Sequence, residues 1–211
     1  MRSTLKVLGA ALVAAAPLAA QQQQGGAAAA PAGWTTKMDP KDATKSTKFV
    51  TMGPGFHVTA EGAGIYFKSA DVQGKENFTV SANFRQTKKT EHPEAFGLIA
   101  GGRNLDDAAK QTYFYFLVRQ DGQFLINHRA GNDVHKVVDW TPSAAIVKFD
   151  DKQGASNDLA IAVGTDSVRF LVNNKAVHAI TRKEITDISG QVGFRVNHGL
   201  DVHVGNYKVT K

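Results

Sequence analysis

The sequence predicts an all-β chain folded as a two-sheet antiparallel sandwich, with a closed barrel as the other arrangement its strands allow. Three observations carry this. From Lys48 onward, short runs rich in Val, Ile, Phe and Tyr recur between clusters of Gly, Asn and Asp. Several of these runs alternate apolar and polar residues with a period of two, which is the pattern of half-buried antiparallel strands. Helical periodicity is almost absent: 105–110 and 182–187 could each make a turn or two, the second capped by Thr181. No repeat of 20 to 50 residues is visible, which argues against a propeller or solenoid.

The chain has 211 residues and a net charge of +6. Residues 1–20, MRSTLKVLGAALVAAAPLAA, read as a secretory signal peptide. Arg2 and Lys6 make the positive start, Leu5 to Ala16 the apolar core, and small residues lead to a cleavage point before Gln21. The expected location is therefore periplasmic or extracellular, with no membrane span after cleavage. Residues 21–46 read as a low-complexity linker, beginning QQQQGGAAAAPAG. Such a stretch buries too little to offset its ordering entropy. Trp34 is its one large apolar residue, placed to pin the incoming chain. The sandwich is expected over 47–211.

Strands are expected near 47–51, 56–59, 63–68, 77–86, 96–101, 112–119, 123–129, 134–139, 146–149, 158–164, 167–173, 176–180, 191–197 and 200–209. Phe78, Val80, Ala82 and Phe84 face one way. Val168, Phe170 and Val172 oppose Arg169, and Val192, Phe194 and Val196 oppose Gln191, Arg195 and Asn197. Thr165-Asp166 and Asn173-Asn174 are tight-turn residues between such runs. The central element is the hairpin from Gln111 to Arg129, two apolar runs joined by Gln120-Asp121-Gly122. Its first run, Tyr113 to Val118, is apolar on both faces, so it belongs in mid-sheet with both sides covered or one side offered to a ligand.

Chemistry is sparse. There are no cysteines, which excludes disulfides, thiolate nucleophiles, zinc–thiolate sites and a lipidated cysteine anchor. Basic residues are scattered, with no run of five, so nucleic acid is not an expected partner. Glycoside hydrolysis usually sets two carboxyls across one bond, and no pair of glutamates lies at strand spacing. Asp201 and His203 share a strand face near His198, and a divalent cation is the one cofactor these three residues could take. Ordinary hydrogen bonding on a polar outer face is the plainer reading of them. The hairpin says more. If Phe114, Phe116, Val118, Phe124 and Ile126 fill the core, then Tyr113, Tyr115, Asn127 and Arg129 emerge opposite, with Arg195 and Asn197 on the non-core face of their own strand. Tyrosine rings beside Arg and Asn suit a sugar, whose C–H faces stack while its hydroxyls pair with planar polar groups. Packing beneath a loop is the other role open to Tyr113 and Tyr115.

Gly55-Phe56-His57-Val58-Thr59, Ala63-Gly64-Ile65-Tyr66-Phe67 and Asn77 to Phe84 resemble the opening strands of secreted bacterial domains of the concanavalin A-like lectin/glucanase superfamily. His92 to Gly102, Gly193 to His198 and Leu200 to Val204 continue the resemblance, which covers 47–209. Within the superfamily the chain is most similar to 3-keto-disaccharide hydrolase-like domains. The resemblance implies a jelly-roll sandwich with a concave sheet that often meets carbohydrate. The acidic Glu-x-Asp-x-Glu strand of laminarinase-like members has no counterpart here, and no catalytic residue is carried over. The function expected from residues and resemblance together is non-catalytic binding of an oligo- or polysaccharide. A metal-assisted glycoside hydrolase or lyase, and an envelope domain that binds another protein, are the alternatives.

Overall fold

The computed structural model describes residues 30–185 and 187–211. The expected signal peptide and the Gln-rich start of the linker lie outside the described residues. Fourteen strands form two antiparallel sheets of seven. In chain order they are β1 (Thr35–Met38), β2 (Thr47–Met52), β3 (Gly55–Ala60), β4 (Gly64–Gln73), β5 (Phe78–Gln86), β6 (Ala95–Arg103), β7 (Thr112–Arg119), β8 (Gln123–Ala130), β9 (Asp133–Pro142), β10 (Ala155–Val163), β11 (Ser167–Val172), β12 (Lys175–Thr181), β13 (Gly190–Val196) and β14 (Leu200–Thr210). The first sheet runs β1-β4-β13-β6-β7-β8-β9 and the second β12-β11-β10-β5-β14-β3-β2. The architecture is the jelly-roll sandwich that the resemblance implies.

The alternating residues meet between the sheets. Phe78, Val80, Ala82 and Phe84 of β5 pack with Phe116 and Val118 of β7, Phe170 of β11, and Val192, Phe194 and Val196 of β13. Phe194 stacks on Tyr66 with ring centroids 4.9 Å apart. The central hairpin pairs β7 with β8 in mid-sheet, Phe116 opposite Ile126. Its connection closes at Gly122, whose φ of 87° favours glycine, and the Gly122 amide donates to the Arg119 carbonyl at 3.0 Å. Asn173 and Asn174, at φ of 48° and 64°, make the tight β11–β12 turn.

Two expectations change. Residues 34–46 belong to the sandwich rather than to a linker. β1 pairs with β4 from Thr35 opposite Phe67 to Met38 opposite Gly64. Trp34 lies in the core against Phe49, Phe56, Phe194 and Tyr207. A four-residue edge strand is too short to show periodicity, which is why its sequence looks like a tether. Conversely, 146–149 is not a strand. Its backbone is held by a side chain instead: Asn157 accepts from the Val147 amide at 2.8 Å and donates to the Val147 carbonyl at 3.0 Å. The buried Ile146 satisfies the apolar pattern without a strand partner. The possible helices at 105–110 and 182–187 are turns and bends where described, and Thr181 does not cap with its hydroxyl: its amide and hydroxyl both donate to Glu184 Oε2, at 3.0 and 2.8 Å, so the Glu184 side chain closes the turn.

Candidate functional site

The first sheet has a second apolar face. Ile65, Phe67, Ile99, Tyr113, Tyr115, Leu117 and Leu125 form a cluster separate from the inter-sheet core, because alternate residues of each strand point outward. Leu105 from the β6–β7 connection covers part of it, and Trp140 of β9 packs beside it with the Arg119 guanidinium over its ring at 4.2 Å. This explains why β7 reads as apolar on both faces.

A cavity of about 400 Å³ opens on this outer face, lined by Asp39, Pro40, Lys41, Tyr113, Tyr115, Arg129, Asn132, Val134 and Arg195. Register brings these together. Tyr113 lies opposite Arg129, and Tyr115 opposite Asn127, across the β7–β8 pair. Arg195 sits across from Gly97 of β6. Gly97 has no room for a side chain: a Cβ there would run into the Phe116 carbonyl oxygen of β7. Asp39 comes from the far side of the sequence. It ends β1, its amide donates to the Ala63 carbonyl at 2.8 Å, and Pro40 then starts a short 3-10 turn, Pro40–Asp42.

The floor of the cavity is a charged network. Arg195 grips Asp39 with both terminal nitrogens, at 2.9 and 2.5 Å. Its Nε donates to Asn197 Oδ1 at 3.1 Å, and Nη1 also reaches the Tyr113 hydroxyl at 3.3 Å. The guanidinium lies 5.5 Å from the Tyr115 ring centre. Asn127 donates to the Tyr115 hydroxyl at 3.1 Å. Arg129 is held more loosely: Nη2 is 3.7 Å from Asp39 Oδ1, Nη1 donates to the Asn132 carbonyl at 3.4 Å, and buried Nε has no partner among the described residues. Burial by itself would raise the Asp39 carboxyl, but the Arg195 hydrogen bonds and the charges of Arg195, Arg129 and Lys41 outweigh it and hold it below the usual range. Burial raises the Tyr113 phenol despite the nearby arginines. Asp39 therefore stays an anion and Tyr113 stays a neutral donor at ordinary pH.

All six residues expected on the sugar-facing surface lie in this one network, but the tyrosines serve differently from the stacking platforms expected. Tyr113 is 1% exposed and Tyr115 9%. Their rings are packed in the outer apolar cluster, so they offer edges and hydroxyls to the cavity rather than open faces. Asn127 and Asn197 support Tyr115 and Arg195 from behind. The exposed apolar wall is Val134, at 45%. Sequence reasoning missed Asp39, Lys41, Asn132 and Val134. An Asp before Pro is a turn-starting pair, and that was the available signal for Asp39.

The three candidate metal ligands are not gathered. Asp201 and His203 lie on the outer face of the second sheet, on the opposite side of the sandwich from the cavity. Asp201 accepts from the Thr87 hydroxyl and sits 3.2 Å from His57 Nε2. Burial pushes its carboxyl up, but Thr87 and His57 bring the net shift below the usual range. His203 packs near His57, ring centres 6.5 Å apart. His198 turns away to pair with Glu94 at 3.0 Å. Among the described residues no group of three or more His, Asp or Glu side chains is placed to hold a metal ion.

No family model matches the chain, and no curated protein matches it in sequence. Solved structures match it in fold. A carbohydrate-binding module, CBM66 from Bacillus subtilis, superposes with a TM-score of 0.64 at 13% identity, over 85% of this chain and 96% of that one. A protein of unknown function with a galectin-like fold, also from Bacillus subtilis, gives 0.57 at 13% identity, over 83% and 88%. The laminarinase catalytic domain from Thermotoga maritima gives 0.54 at 9% identity, over 81% and 88%. The chain thus shares the two-sheet jelly-roll fold of these structures.

Proposed function

We propose that this chain is a carbohydrate-binding sandwich that holds a sugar in the outer-face cavity without turning it over. One observation carries the reading: a cavity on a rigid sheet, lined by planar and hydroxyl hydrogen-bonding groups whose positions are fixed by their own buried network. A concave site of that size is within the usual range for a small-ligand site, here with a lining dominated by charged and polar side chains. Val134 and the tyrosine edges supply surface for the C–H side of a ring. Arg129, Asn132 and the tyrosine hydroxyls supply donors and acceptors for its hydroxyls.

The same network argues against hydrolysis. Retaining and inverting glycosidases set two carboxyls about 5–9.5 Å apart across the bond. Asp39 is the one carboxylate lining this cavity. Clamped by Arg195 and held as an anion, it cannot donate a proton to a leaving group. The signal-like stretch at 1–20 supports a place outside the cytoplasm for this binding.

Affinity electrophoresis and calorimetric titration across neutral and charged polysaccharides test the reading. Saturable binding without release of new reducing ends is expected. The binding should weaken by about tenfold or more on Asn132→Ala combined with Val134→Ser, two exposed positions that leave the core intact. Reducing-end release would replace the reading with an enzymatic one, and absence of binding throughout would end it.

A further inference from the structure

We infer that the sugar this cavity takes is acidic: a hexuronate, or another saccharide bearing a carboxylate, seated against Arg129 and Lys41. The inference rests on the reading of the cavity as a sugar site and adds its charge.

The cavity is lined by three cations, Lys41, Arg129 and Arg195, and one carboxylate, Asp39. Asp39 is committed to Arg195 by the two short hydrogen bonds, which leaves the other two cations unbalanced. Arg129 has a side chain only 13% exposed, yet its contacts are a 3.4 Å bond to the Asn132 carbonyl and a 3.7 Å approach to Asp39. A buried guanidinium normally carries several good acceptors, because desolvating it without them is costly. Its fork matches the two oxygens of a carboxylate, and such charge-assisted pairs are about twice as strong as neutral hydrogen bonds. Lys41 is exposed at the rim, with no ionic partner among the described residues. Low-dielectric walls of packed tyrosines concentrate the field of these cations in the cavity mouth. A neutral sugar would offer Arg129 only uncharged hydroxyl acceptors, whereas an acidic one adds a charge-assisted pair.

The test compares each acid with its own uncharged form. Oligogalacturonate, oligomannuronate and oligoguluronate are titrated calorimetrically into the protein beside their methyl esters, at matched ionic strength. At least one acid should bind about tenfold or more tightly than its ester. The advantage should shrink when salt rises from about 0.05 to about 0.5 M. Lys41→Gln and Arg129→Gln should each shrink the ratio of acid to ester affinity, whatever they do to the esters' own binding. Lys41 is exposed and can be replaced without threatening the fold, so loss of the preference there cannot be assigned to unfolding. Esters or neutral oligosaccharides binding as tightly as every acid would overturn the inference and leave the sugar-binding reading standing. Acetate or glutamate displacing the uronate at equal concentration would also overturn it, because the sugar would not be read. Failure of every acidic and neutral oligosaccharide to bind would instead overturn the sugar-binding reading itself.

Discussion

Asp39 and Arg195 are 156 positions apart in sequence, and both are nearly out of water. Burying each charge costs several kcal/mol, and only close pairing with satisfied donors offsets it. Arg195 meets that requirement through Asp39, Asn197 and Tyr113. Removing one partner strands the other, so Asp39→Ala should destabilise the chain by about 3–5 kcal/mol in urea denaturation. The double change Asp39→Leu with Arg195→Met should cost much less, because no buried charge is left behind. The pair also sets a dependence on pH. The folded Asp39 carboxyl lies below its usual value. Its contribution is therefore complete above the unfolded value, about 4, and drains away as pH falls through the folded one. The melting temperature should fall on acidification below about pH 4, and Asp39→Asn should fall less steeply. An equal fall in both would assign the acid sensitivity to other carboxylates. Tyr113, Tyr115, Asn127 and Arg129 were legible from alternation in one hairpin, since the outer face follows once the inner face is known. How deeply the tyrosines are buried was not legible, because Leu105 and Trp140 reach them from other elements.

At the scale of elements, β1 and Trp34 decide where the sandwich begins. Trp34 touches Phe49, Phe56, Phe194 and Tyr207 with ring centres 4.9 to 5.7 Å apart, bridging β2, β3, β13 and β14. Burying so large a ring contributes on the order of 3 kcal/mol or more, and Trp34→Ala should cost about 3–5 kcal/mol. A chain starting at residue 47 loses this ring, β1 and Asp39 together. Thermal melting should show it unfolded or much less stable than one starting at residue 30; equal melting temperatures would contradict the assignment of 34–46 to the fold. Most of the longer strands were read to within a few residues because they are long enough to show alternation; β4 was read five residues short, ending near 68 where it runs to Gln73. The sequence before residue 47 misled because β1 is short and polar, and its fixing contacts are all distant. At 146–149 the pattern misled in the opposite direction: the apolar residue is buried, but Asn157 takes the place of a neighbouring strand.

At the scale of the whole molecule, the two outer faces differ. The outer face of the second sheet carries the His57–Asp201–Thr87 contacts and a second cavity of about 400 Å³, lined by polar residues such as Asn83, Asp158 and Lys208 but without a buried charged pair. The first sheet is apolar on both faces, and its outer face is where the charged network and cavity are built. Mid-sheet strands β13, β7 and β8 carry the cavity floor through Arg195, Tyr113, Tyr115 and Arg129, so a bound sugar would meet floor groups already in place, which lowers the ordering cost of binding. A jelly-roll fold serves many purposes, so sugar binding has to be read from this face rather than from the fold. The most direct measurement of it is a backbone amide shift map by NMR during titration with the tightest-binding oligosaccharide. The account predicts saturable shifts centred on Asp39, Lys41, Tyr113, Tyr115, Arg129, Asn132 and Arg195, with the second sheet unmoved. Shifts centred on the outer face of the second sheet, around Asn83 and Asp158 or His57 and Asp201, would contradict it.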